Sequence, residues 1–229
     1  VAERSGASAT VVDANPWFLA EGRAALADEL ASPGLAADLD ELVFAARRAD
    51  ELTVEFVHGD VAEVVATGDL DGRGEPTASG GQARPAKLVA CVGARPWEDR
   101  RATLAALVEL TAPGGAVLVG EGYWRSAPDE GLVELLGGMQ SAELDTTFDD
   151  HPRLAAELGL ELAWSHAATP AEFDTYDRRF VEALTAWCTA HPTDPDAAGF
   201  LDRITTWDRH MTRCGRATMG FGWYLYHRA

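Results

Sequence analysis

An α/β fold on a mostly parallel sheet is what this sequence predicts, and three stretches carry the prediction. The first is Ala86 to Trp124. It opens with the apolar run Leu88-Val89-Ala90-Cys91-Val92, bounded by Gly93, which suits a strand buried on both faces. An amphipathic segment follows, with Leu104, Leu107, Val108 and Thr111 on one helical face. Pro113-Gly114-Gly115 then stops the helix, and a second strand-like run, Ala116 to Gly120, begins at once. A strand, helix, strand unit has a parallel sheet as its natural host. The second stretch is Ala9-Thr10-Val11-Val12-Asp13, a strand ending in an acid, with Pro16 suited to the first turn of a following helix. The third is Thr53 to His58, which alternates like a strand and runs into Gly59-Asp60-Val61.

Composition narrows the partners. The chain has 229 residues, 47% of them hydrophobic, enough for one substantial domain or a domain with an added lobe. Its formal net charge is −18, and Lys87 is its only lysine. Nucleic acids and anionic membranes need a basic footprint, so neither is expected as a partner. A soluble protein acting on a small molecule is the expectation. Cys91, Cys188 and Cys214 are odd in number and widely spaced, as reduced thiols in a cytoplasmic protein would be. No stretch has the length of a membrane span, and the N-terminus lacks a basic region followed by an apolar core. His58 has no second ligand at helical or hairpin spacing, and no metal is expected.

Between these strands the chain alternates in kind. Phe18, Leu19, Leu26 and Leu30 mark a helix that Ser32-Pro33-Gly34 breaks, and residues 35–50 form a second helical segment. The stretch from Gly68 to Pro85 is a loop rich in Gly, Pro and Ser that resembles no phosphate-binding motif. A short helix is expected within Pro128 to Met139, another over Pro152 to Leu158, and a strand over Leu160 to Ala167. Asp149, Asp150 and His151 form the densest acid–base group, although capping and solvation explain the two acids as well. Two long helices follow, Pro170 to about Ala190 and Asp194 to about Cys214. Aromatic residues recur along both at helical spacing, a pattern that core packing alone also produces. Thr218 to His227 is an aromatic final strand.

In open parallel sheets, ligands bind beyond the carboxyl ends of the strands. Those ends carry Gly93-Ala94-Arg95-Pro96-Trp97 and Glu121-Gly122-Tyr123-Trp124. The order of strand, helix, Pro-Gly-Gly and strand resembles the second half of class I S-adenosylmethionine-dependent methyltransferases. Asp13 and Asp60 extend the resemblance over nearly the whole chain. It implies a Rossmann-like, mostly parallel sheet with an antiparallel last strand and a helical insertion before that strand. It divides the chain into a core over residues 1–169, a helical lid over 170–215 and a final core strand over 216–229. It implies that Asp13, with Ala14 and Asn15, meets the cofactor's ribose. Asp60 would accept from the adenine amino group, the Val61 amide would meet the ring, and Cys91, Val92 and Gly93 would lie along the cofactor. A loop or capping role for Asp13 stays open as the lesser reading, and a helix cap for Asp60 is as sound physically as the adenine contact. The family's first strand and its glycine-rich loop have no counterpart upstream of Asp13, so a chain shortened at its N-terminus is the expectation.

The resemblance implies methyl transfer from S-adenosylmethionine to a small-molecule acceptor. Transfer from a sulfonium needs in-line positioning and exclusion of water, and for some acceptors a general base. Tyr123 and His151 are the candidate catalytic residues; Trp97, Trp124, Tyr176 and Arg213 are candidates for the acceptor pocket. A homodimer is compatible with this reading. Two alternatives stay open. One is a non-catalytic remnant of the fold that works by binding or dimerisation. The other is an NAD(P)-dependent oxidoreductase, which should show a Ser/Tyr–Lys pair; Lys87 has no tyrosine at helical spacing.

Overall fold

The structure, a computed structural model, describes residues 7–13, 52–58, 60–67, 85–136 and 146–229. The chain divides into two units, Val1–Arg84 and Pro85–Ala229.

The first unit contains a parallel pair of strands, β1 (Ala7–Asp13) and β2 (Leu52–His58). Their register sets Ala7 opposite Leu52 and Asp13 opposite His58. Helix α1 (Val61–Thr67) follows β2. Asp60 starts it: its Oδ1 accepts from the Glu63 amide at 3.0 Å, and its carbonyl accepts from Val64 at 2.9 Å. The capping role is therefore present. Ala14, Asn15, the two helices expected over 16–50 and the loop expected over 68–84 lie outside the described residues.

The second unit is built on four strands. β3 (Ala86–Val92), α2 (Arg100–Leu110) and β4 (Thr111–Trp124) form the expected crossover, and β3 and β4 are parallel. Then come α3 (Glu130–Leu135), α4 (Asp150–Glu157), β5 (Leu160–Ala167), α5 (Pro170–Ala190), α6 (Ala197–His210) and β6 (Met219–Arg228). The sheet order is β3-β4-β6-β5, with β6 antiparallel to both neighbours. Three strands thus run one way and the last runs against them, which is the mostly parallel sheet with an antiparallel last strand that was expected.

Local chemistry accounts for the boundaries. Asp99 caps α2 by accepting from the Ala102 amide at 2.7 Å. At the other end, Thr111 Oγ1 donates to the Leu107 carbonyl at 2.7 Å, and Arg228 from β6 donates to the carbonyls of Val108 and Thr111. A guanidinium there satisfies carbonyls that the helix leaves open. Within Pro113-Gly114-Gly115, Gly114 has φ +70°. A Cβ on Gly115 would sit 2.8 Å from the Ala112 carbonyl oxygen and 3.0 Å from that of Lys87. Helix α5 opens with a capping box between Thr169 and Glu172 and with Pro170 in its first turn.

Two findings revise the sequence reading. β3 is not buried on both faces: Leu88 and Val92 are 55% and 46% exposed, while Cys91 is buried. Among the described residues β3 pairs only with β4. The second long helix ends at His210 and passes through a π-helical turn, Met211–Gly215, before a single turn, Arg216–Thr218, leads into β6.

Two cores result. The larger joins Leu104 and Leu107 of α2, Val117 and Val119 of β4, Ala155 of α4, Leu160 of β5, and Tyr224 and Tyr226 of β6. The smaller joins Trp124, Leu132 and Met211, with Phe173, Trp207 and Met219 packed against them.

Candidate functional site

The carboxyl ends of β3 and β4 hold the densest polar arrangement among the described residues. Gly93 leaves β3 with φ +63° and donates its amide to the Gly120 carbonyl at 2.8 Å, tying the turn to β4. One residue on, Glu121 projects a carboxylate that is only 14% exposed. Arg95 Nη2 donates to Oε1 and Arg100 Nε to Oε2, both at 2.9 Å. His151 Nε2 lies 3.2 Å from Oε2 but is out of line for a hydrogen bond, so the contact is electrostatic. Burial alone would push the Glu121 carboxyl upward; the facing His151 and Arg100 outweigh it and hold the group down at about 2.

His151 comes from α4 and is itself buried, at 2% exposure. Its ring stacks on Tyr224, with centroids 4.4 Å apart, and its Nδ1 lies 2.7 Å from the Tyr226 hydroxyl. Burial, followed by the charges of Tyr224 and Glu121, raises the Tyr226 phenol far above its ordinary range. The phenol therefore keeps its proton and is paired with Nδ1. Tyr224 donates to the Phe148 carbonyl at 3.1 Å, and the Phe148 ring meets Tyr123 edge-on at 5.4 Å. Chemically, the cluster is a fixed, charge-compensated anion that holds residues 93–100 at the strand ends. It is not an open anion receptor, because Glu121 engages both guanidinium groups.

The candidate residues distribute unevenly. Asp13 is the last residue of β1, and Asp60 and Val61 begin α1, with Asp60 exposed. Val92 and Gly93 are exposed at the end of β3. Cys91 is buried, its Sγ 3.4 Å from the Ala94 carbonyl; burial and then the Glu121 charge push its thiol up, so it is not a ready nucleophile. Tyr123 and His151 belong to one aromatic group through Phe148 and Tyr224. Trp97 packs against the larger core and Trp124 is buried in the smaller one. Tyr176 is 71% exposed and stacks with Phe180, while Arg213 lies 3.5 Å from Asp129. The structure thus makes no single group of the four acceptor-pocket candidates. Glu121, Arg95, Arg100 and Tyr226 were missed as a set. An acid directly after an apolar strand was the available signal.

The sheet with its antiparallel last strand, the crossover through Pro-Gly-Gly and the polar strand ends define a class: this is the fold of class I S-adenosylmethionine-dependent methyltransferases. Among particular proteins, the chain is similar to YjhP of Escherichia coli strain K12, an uncharacterized protein. The two are 27% identical over 186 residues, 78% of this chain and 67% of YjhP. The X-ray structure of YjhP superimposes with a TM-score of 0.66 at 21% identity, covering 96% of this chain and 76% of that one. A methyltransferase from Geobacter sulfurreducens, crystallised with S-adenosyl-L-homocysteine, gives 0.64 at 21% identity, over 98% of this chain and 85% of that one. One from Thiobacillus denitrificans, in complex with the same molecule, gives 0.64 at 19% identity, over 98% and 86%. No protein-family model matches the chain.

Proposed function

We propose that the chain binds S-adenosylmethionine and directs its methyl group to a small-molecule acceptor. The observation that carries this reading is the β3-β4-β6-β5 order, shared in fold with structures that hold S-adenosylhomocysteine. The residues present fit the cofactor's chemistry. Gly93 offers an exposed backbone at a strand end, where no Cβ blocks approach, and Asp13 and Asp60 offer acids at the ends of β1 and β2. In this reading Asp13 takes the ribose hydroxyls, with Ala14 and Asn15 beside it. Asp60 takes the adenine amino group with its remaining acceptor capacity, and the Val61 amide meets the ring. Cys91, Val92 and Gly93 contribute backbone.

The cofactor supplies a methyl group on a sulfonium; the chain orients and shields. Glu121, held by Arg95, Arg100 and His151, fixes the turn after β3. His151, buried beneath Tyr224, acts as a positioning residue, while the half-buried Tyr123 is the candidate to touch the acceptor. Helices α5 and α6, packed through Phe173 and Trp207 onto the cluster that includes Trp124, serve as the lid over residues 170–215 and exclude water. Trp97, Trp124, Tyr176 and Arg213 would contribute to acceptor binding from its rim. No described helix is long and apolar enough to cross a membrane, and the acidic chain suits a small acceptor in the cytoplasm.

The test is methyl transfer by the full chain from methyl-labelled S-adenosylmethionine to a panel of hydroxyl, amine, thiol and carboxylate acceptors. Labelled product and S-adenosylhomocysteine should appear together, and Tyr123→Phe should lower kcat about tenfold or more with cofactor KM unchanged. Release of S-adenosylhomocysteine at the protein-free rate with every acceptor class would count against the proposal.

A further inference from the structure

Away from the strand ends, Asp129, His210 and Cys214 bring a carboxylate, an imidazole and a thiol together. One ligand atom from each lies within 4.8 Å of the others. Two elements build the group. Asp129 caps α3 with Oδ1, which accepts from the Leu132 amide at 2.8 Å; Oδ2 faces Cys214 Sγ at 3.2 Å. His210 ends α6, and the π turn carries Cys214 four residues later, with Sγ 3.5 Å from the His210 carbonyl. Such turns concentrate at functional positions in helices.

Two further observations set this group apart from a chance surface cluster. His210 Nδ1 is buried and has no hydrogen-bond partner, an uncommon state for a polar atom. At Gly131 a Cβ would stand 2.9 Å from His210 Cε1 and 3.4 Å from Asp129 Oδ1, so any larger residue there would have to displace the imidazole.

We propose that Asp129, His210 and Cys214 bind a borderline-soft divalent cation of the zinc class, with a fourth position left to water. A mixed sulfur, nitrogen and oxygen set suits that cation. Bond lengths of about 2.0–2.3 Å set tetrahedral ligands roughly 3.5 Å apart, so the three atoms need to close by only about an ångström. Binding converts the Cys214 thiol to a thiolate and releases its proton to solvent. Arg213, 3.5 Å from Asp129 Oδ2 and 68% exposed, would turn outward. The cation would join the α3 start to the π turn, both of which carry residues of the Trp124–Leu132–Met211 cluster. Asp129 and Cys214 stand 85 residues apart in the chain, a separation that carries no ligand-spacing signal. The inference is independent of methyl transfer.

The experiment titrates the metal-free full chain with Zn²⁺ against a chromophoric chelator, and with Co²⁺ as a spectroscopic probe. One equivalent should bind, and Co²⁺ should show thiolate-to-metal charge transfer. Cys214→Ser and His210→Ala should each raise Kd by about 100-fold or more, beyond what a supporting residue usually costs. Asp129→Asn retains a capping side chain and should still weaken binding, which separates ligation from folding; Arg213→Ala should tighten it. A Co²⁺ spectrum without a thiolate band, or binding unchanged in Asp129→Asn and Cys214→Ser, would overturn the proposal.

Discussion

Tyr224 and Tyr226 are 1% and 0% exposed in the core that α2 and α4 share with the sheet, whereas Tyr176 and Phe180 on α5 are 71% and 38% exposed. The sheet core draws on two helices and four strands, and its aromatics are hydrogen-bonded as well as packed. The helical region has a smaller buried cluster, Trp124, Leu132 and Met211, with Cys188, Ala197 and Ile204 also buried on its helices, and polar ties such as Trp207 Nε1 to Asp177 Oδ1 at 2.6 Å. In the proposed function the sheet is a scaffold for ligand-facing strand ends, which needs the first kind of packing. The helices are then a cover that admits an acceptor, which can work with the second.

Substitutions can break that contrast. Leu104→Ala removes a side chain buried to 1% in the sheet core and should cost about 3 kcal/mol of global stability, read from chemical denaturation. Met211→Ala removes one buried to 0% in the smaller cluster, which has more freedom to collapse. Its effect should be about 2 kcal/mol and local, seen as faster amide exchange over residues 197–218 with little change in the sheet. Equal global losses from the two variants would remove the distinction between scaffold and cover.

The strand-end acids sharpen the comparison. Glu121→Ala leaves two guanidinium groups and an imidazole facing one another and should cost about 2–3 kcal/mol, near the lower end for a broken buried pair because the arginines are partly exposed. Acid titration tests the same cluster. Glu121 holds its charge down to about 2 in the folded chain, against an ordinary value of 4.5. Its contribution is therefore complete above 4.5 and lost as pH falls through 2. In Glu121→Gln, the dependence of Tm on pH should flatten across that window. Without cofactor, Asp60→Ala removes an exposed cap and should cost about 1 kcal/mol, confined to α1.

How much of this was legible in the sequence follows from the range of each interaction. The β3–α2–β4 crossover, the cap at Asp60 and the extents of β5, α5 and β6 rest on neighbouring residues, and periodicity and capping signals expose such features. The exposure of Leu88 and Val92 could not be read this way, because an apolar run does not say what packs on each face of a strand. Nor could the Glu121 cluster be read. Its arginines come from 26 and 21 residues upstream, and His151 finds Tyr226 at a separation of 75. His151 looked like a free acid–base group beside Asp149 and Asp150, but its ring lies inside. Asp150 is occupied locally with Thr147 and Arg153.

The most direct test of the central claim is calorimetric titration of the full chain with S-adenosyl-L-homocysteine, with NADH in parallel. The account predicts binding of S-adenosyl-L-homocysteine at micromolar affinity, lost in Asp13→Ala, and no binding of NADH. A cooperatively folded chain that binds neither, or that binds NADH alone, would contradict it.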